Sequence, residues 1–171
     1  MVFSSLFFNF FFLPIILIFY FFTKNDQLKN VILVFFSLIF YAWGEPIWFV
    51  LLIISAIVDY LNGIFVENNK DSKIAMLGVI STLIFNLGLL CTFKYADFFI
   101  ENVNFLLGSS FKAPGLILPI GISFYTFQTI SYTIDVYNGK VKAQRSFLNF
   151  LTFVTLFPQL VAGPIVRYSI I

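Results

Sequence analysis

The chain has 171 residues, 60% of them apolar and 11% charged, where a soluble domain carries roughly 45–50% and about 25%. That balance excludes a water-soluble globular fold, and a 21% aromatic content with 26 Phe excludes a disordered one. Cys91 is the only cysteine, so neither an intramolecular disulfide nor a cysteine metal cluster can form. There is no histidine, which removes the commonest general base and metal ligand. The net charge is +2, and no basic run is long enough to track phosphates, so nucleic acid is not an expected partner.

An apolar stretch of about 18 or more residues can cross a hydrocarbon core of about 30 Å as a helix. The sequence predicts an all-α, polytopic transmembrane protein forming a single membrane domain over residues 1–171, with membrane lipid as its surroundings. The first span, residues 3–22, has neither a basic n-region nor a cleavage pattern before Thr23 and is read as a retained helix. The tract that follows is divided at Gly44-Glu45-Pro46 into spans 28–43 and 47–66, with Pro46 in the first turn of the second. Tyr41, Trp43 and Trp48 flank this break as an aromatic belt.

A fourth span covers 74–93. Lys94, Asp97 and Glu101 then fall at helical spacing and are expected to pair along an interfacial helix that continues to Leu107. Span 116–136 mixes Pro119, Gly121, Gln128 and many hydroxyl groups into an apolar run, which predicts a helix packed against protein or lining a passage. Span 147–166 carries Pro158, Gly163 and Pro164 and is expected to be broken. Basic residues favour the cytoplasm. An outside N-terminus puts Lys24, Lys29, Lys70, Lys73, Lys140, Lys142 and Arg145 there, while Lys94 and Lys112 lie outside.

Carboxylates at bilayer depth cost about 2.5 kcal/mol or more and need a partner or water. Asp59 is expected to hydrogen-bond between helices together with Asn62. Asp135, close to the basic loop, fits an interfacial role beside Lys140 as well as a site role. Gln159, between Pro158 and Gly163-Pro164, places an amide where an irregular helix could bind a polar substrate; plain helix packing explains the same polar residues equally well.

Leu118-Pro119-Ile120-Gly121-Ile122-Ser123-Phe124-Tyr125-Thr126-Phe127-Gln128, with Tyr132 and Ile134-Asp135-Val136-Tyr137 after it, resembles a signature of the membrane-bound O-acyltransferase family. Phe157-Pro158-Gln159-Leu160-Val161-Ala162-Gly163-Pro164-Ile165 is similar to its next block. Phe3-Ser4-Ser5 and Phe40-Tyr41-Ala42-Trp43-Gly44-Glu45-Pro46 resemble the alginate O-acetyltransferase branch. The resemblance implies the N-terminal part of that fold, in a multi-pass protein of the bacterial inner (cytoplasmic) membrane. It further implies O-acetyl transfer to hydroxyls of an exported polysaccharide such as alginate, with partner proteins of a polysaccharide-modification system.

The acyl donor, acetyl-CoA or an acyl carrier, would be a substrate; no bound cofactor or metal is implied. The family's catalytic His lies beyond this stretch, so the expectation is a truncated portion, inactive alone, with no catalytic residue of its own. The matched positions Tyr125, Gln128, Asp135, Gln159 and Arg167 are the substrate-tunnel candidates. Competing readings are D-alanyl transfer to teichoic acid by a related family member, a transporter subunit, and an accessory membrane protein without a site.

Overall fold

The computed structural model describes residues 5–162 and 167–168. Gly163-Pro164, part of the last expected span, and the Phe3-Ser4 opening lie outside the described residues. A π-helical turn, Phe8–Phe12, runs directly into α1, Leu13–Phe22. Pro14 explains the wide turn, because it has no amide to give the carbonyl four residues back and its ring crowds that carbonyl. The helix α2, Asp26–Gly44, starts where the Asn25 side chain accepts from Gln27 N at 2.9 Å, with Asp26 in the first turn favoured by the helix dipole.

A turn at Pro46–Trp48 leads into α3, Phe49–Asn68, so the helix proper begins two residues after the expected position. The next helix, α4, is Ala75–Leu107, unbroken over 33 residues and closed by Gly108 in the left-handed conformation. The expected division after Phe93 does not occur. No ion pair joins Lys94, Asp97 and Glu101 among the described residues; Asp97 Oδ1 instead accepts from Gly115 N at 3.0 Å and ties the following loop back to the helix.

The helix α5 covers Ile122–Tyr137, whereas residues 116–121 are not helical. Pro119 lacks a donor there and Gly121 has φ +77°, so both oppose an earlier start. Ser146 caps α6, Phe147–Thr155, through Asn149 N. The chain bends at Leu156 and α7, Phe157–Ala162, follows with Pro158 in its first turn, where a missing amide is harmless. The break expected in this segment thus falls at Leu156.

Among the described residues three helices, α2, α3 and α4, are long and apolar enough to cross a membrane. With the helical content and no strand among the described residues, the chain is an all-α polytopic membrane protein. Phe19, Phe22, Phe35, Ile54, Leu77 and Ile84 point outward, as lipid-facing side chains do. One core forms where α3, α4, α5 and α6 meet around Leu52, Ala56, Val66, Tyr125, Tyr132 and Phe150. Small residues allow the close approach, since Gly63 of α3 leaves room for the Tyr132 ring.

A second, aromatic core of Phe8, Phe12, Phe40 and Phe157 holds the π-helical turn against α2 and α7, with ring centroids 5.5–6.0 Å apart. Tyr41 is not part of an aromatic belt. It is buried and its hydroxyl donates to the Ile120 carbonyl, while Trp48 packs edge-on against Phe93.

Cross-loop bonds collect one end of the helices. Arg145 binds Glu67 and Asn68, Ala143 N donates to Glu67 Oε1 at 3.0 Å, and Tyr60 Oη donates to the Arg145 carbonyl at 2.7 Å. Asn30 Nδ2 donates to Asn149 Oδ1 at 3.0 Å, which adds the start of α2. The loops carrying Lys70, Lys73, Lys140, Lys142 and Arg145 therefore share an end with Lys29.

Candidate functional site

Two polar features lie on either side of α5. The first is a buried clasp in the core. Asp59 on α3 is 0% exposed, and Asn86 on α4 donates from Nδ2 to its Oδ1 and Oδ2 at 2.8 and 2.9 Å. Ser55 Oγ donates to Asn86 Oδ1 at 3.0 Å, and Thr129 of α5 faces the same carboxylate. Asp59 is thus an interhelical hydrogen-bonding group, but through Asn86. Asn62, one turn along α3, also bonds between helices, donating to Ser81 Oγ of α4 at 3.4 Å.

The second feature is a cavity of about 380 Å³ at the basic end, walled by α2, α6, α7 and the loop before α6. Asn30, Gln144, Asn149, Thr152, Gln159 and Tyr168 supply its polar lining. The walls are cross-braced. Gln144 Nε2 donates to Tyr168 Oη at 2.8 Å, Ser146 N donates to Gln144 Oε1 at 3.0 Å, and Asn30 holds Asn149. Gln159 Nε2, also buried, has no hydrogen-bond partner among the described residues. A buried donor without a partner costs about 1–3 kcal/mol, which a ligand acceptor would recover.

The five residues singled out from sequence do not converge on one place. Gln159 lines the cavity. Gln128 stands behind it: buried on α5, it donates from Nε2 to the carbonyl of Phe153, a cavity-wall residue, at 2.9 Å. Tyr125 is fully buried in the main core, and its hydroxyl has no partner among the described residues. Asp135 is buried at the loop end of α5, where its Oδ1 meets Lys140 Nζ at 3.5 Å. Arg167 is exposed, next in sequence to Tyr168.

Sequence reasoning missed Asn30, Gln144, Asn149, Tyr168 and Asn86. Asn86 left one signal, an amide in the middle of the apolar run 74–93. Chemically, the cavity can hold an uncharged polar chain through carboxamides and hydroxyls. The described residues bring no nucleophile and base into contact there.

This architecture defines a polytopic helical membrane protein with a polar cavity at its basic end. Comparison with known proteins specifies the kind. The chain is 39% identical over 98% of its length to the probable alginate O-acetylase AlgI of Pseudomonas syringae pv. tomato, covering 33% of that protein. It is 36% identical over 99% of its length to the probable alginate O-acetylase AlgI of Pseudomonas aeruginosa, again covering 33%. With the peptidoglycan O-acetyltransferase of Helicobacter pylori it shares 34% identity over 99% of its length and 37% of the relative.

The resemblance to the alginate O-acetyltransferase branch of the membrane-bound O-acyltransferases is therefore supported along nearly the whole chain, which spans about a third of the length of these curated relatives. No family model matches, and no solved structure matches.

Proposed function

We propose that the protein is an O-acetyltransferase of the bacterial inner membrane that acetylates hydroxyl groups of an exported or cell-envelope polysaccharide. The observation that carries this is the similarity, over nearly all of the chain, to proteins named for O-acetylation of alginate and of peptidoglycan. Those names share the reaction and differ in the polymer, so the acceptor is a polysaccharide hydroxyl. The acceptor oxygen bonds to the carbonyl carbon of an acyl thioester, the carbon–sulfur bond breaks, the hydroxyl proton passes to a base and the donor leaves as its thiol. Acetyl-CoA or an acyl carrier is the donor, and proteins of a polysaccharide-modification system are the partners.

The N-terminus lies outside and the basic end in the cytoplasm. This orientation is supported by the loops at 67–73 and 138–146, which are bonded to each other and carry five of the ten basic residues. The cavity's lining at Asn30 and Gln144 then lies toward the cytoplasmic side, where a thioester donor is made.

Disrupting the gene is expected to remove O-acetyl esters from the cell's exported or envelope polysaccharide, and a plasmid copy to restore them. Ester content unchanged by the disruption, measured on purified polymer, would contradict the proposal.

A further inference from the structure

The clasp between α3, α4 and α5 sets a buried negative charge against neutral groups alone. Asp59 is 0% exposed in the middle of α3, a helix long and apolar enough to cross a membrane, and no Lys or Arg among the described residues pairs with it. Neutral donors lower the cost of burying a carboxylate without cancelling its charge; buried charges are paired, coordinate a metal ion or are lost to a proton. The hydrogen bonds speak against the proton. Asn86 Nδ2 donates to both Oδ1 and Oδ2, at 2.8 and 2.9 Å, so both oxygens accept alike, whereas in a protonated carboxyl one oxygen carries the hydrogen and serves as donor.

The hydroxyls around Asp59 present oxygens rather than protons. Ser55 Oγ gives its proton to Asn86 Oδ1 at 3.0 Å and lies 3.5 Å from Asp59 Oδ2. Thr129 Oγ1 gives its own to the Thr126 carbonyl at 3.2 Å while facing the carboxylate from α5. Thr82 faces it from α4, is 1% exposed, and its Oγ1 makes no hydrogen bond among the described residues. Helix packing gives that buried hydroxyl no partner. Carboxylate and hydroxyl oxygens suit a hard cation, and one carboxylate balances one positive charge; a divalent ion would leave a charge uncompensated at membrane depth.

We propose that Asp59, with Ser55, Thr82 and Thr129, binds one sodium ion between α3, α4 and α5. The ion supplies the missing counter-charge and gives Thr82 Oγ1 a partner. Because its ligands come from three helices, it binds the folded bundle and not the unfolded chain, so sodium stabilises the fold by mass action. Such a site is independent of the acetyl-transfer reading.

The test uses the protein expressed from its complete reading frame, purified in detergent in N-methylglucamine buffer, with radioactive sodium as the binding probe. Wild type is expected to bind sodium saturably, and its melting temperature to rise with sodium chloride but not with N-methylglucamine chloride at the same ionic strength. Asp59→Asn is expected to lose both responses. Thr82→Val separates ligation from folding: its hydroxyl holds no hydrogen bond, so melting without sodium is expected to be kept while sodium affinity falls at least fivefold. Displacement of the probe by potassium as readily as by sodium would support the site and extend it to alkali ions in general. No saturable sodium binding by wild type, or binding by Thr82→Val within twofold of wild type, overturns the inference. A carboxyl infrared band in wild type at neutral pH that disappears in Asp59→Asn, with melting indifferent to sodium, puts a proton in place of the ion and overturns it as well.

Discussion

Replacing Asn86 with Leu is expected to cost about 2–3 kcal/mol, the scale of losing hydrogen bonds to a buried charged group. Asn86 Nδ2 serves both oxygens of Asp59 at 2.8 and 2.9 Å, and no Lys or Arg among the described residues pairs with that carboxylate. Leu fills the volume but leaves Asp59 with Ser55 Oγ at 3.5 Å and the nearby threonines, on a helix at membrane depth. The double change Asp59→Leu with Asn86→Leu removes both partners and is expected to recover most of the loss, because a buried polar pair replaced by apolar groups is often near neutral. Thermal unfolding in detergent, followed by helix signal, reads the coupling directly. An Asn86→Leu melting temperature equal to that of wild type would show that the clasp contributes nothing.

The second large effect is expected at Gly63. A Cβ there would stand 2.6 Å from Tyr132 Cε1 and 2.7 Å from its hydroxyl. The ring cannot yield easily. It is fully buried, sits 4.8 Å from Phe150 and 5.0 Å from Tyr168, and its hydroxyl accepts from Gln144 N at 2.9 Å. Gly63→Ala is therefore expected to destabilise by about 1–3 kcal/mol, the range for an overpacked core. Gly88→Ala on α4 is the matched control, since a Cβ there meets nothing within 4 Å, and it is expected to be neutral or to gain up to about 1 kcal/mol from helix propensity. Indistinguishable melting of the two variants would contradict the packing described for α3 and α5. Because Tyr132 also holds Gln144, the Gly63 change should loosen the cavity wall as well.

How much of this was legible in the sequence depended on whether the signal was local. Length and apolarity identify membrane helices because the bilayer sets a fixed demand. The turn at Pro46 and the bend at Leu156, two residues before Pro158, lie where the sequence shows missing amides, a signal acting within one turn. Continuity of α4 was hidden for the opposite reason: Lys94, Asp97 and Glu101 resemble a boundary by charge, yet each is a tolerable helix residue, and Asp97 is occupied by a loop amide 18 residues away.

The polar sites were legible only in part. Asp59 stands out as a carboxylate in an apolar run, but its partner is 27 residues distant and hydrophobic spacing does not reveal which face of α4 meets α3. Asn62, three residues along, was legible as an interhelical group too, and its partner Ser81 was hidden in the same way. The cavity was hidden more thoroughly, because its amides come from the start of α2, the loop before α6, α6 and α7, and no single window of sequence contains them. Gln159 stood out in the sequence as an amide between Pro158 and Gly163-Pro164, where the helix was expected to be irregular.

Acetyl transfer across sealed membrane vesicles tests the central claim most directly. Vesicles carrying the protein from its complete reading frame, with acceptor polysaccharide on the face opposite the basic loops, are given acetyl-labelled donor on the basic-loop face. The expected result is base-labile label on the polymer, absent from vesicles lacking the protein and absent when donor is supplied only to the other face. No protein-dependent label from either acetyl-CoA or an acetyl-loaded carrier would contradict the account.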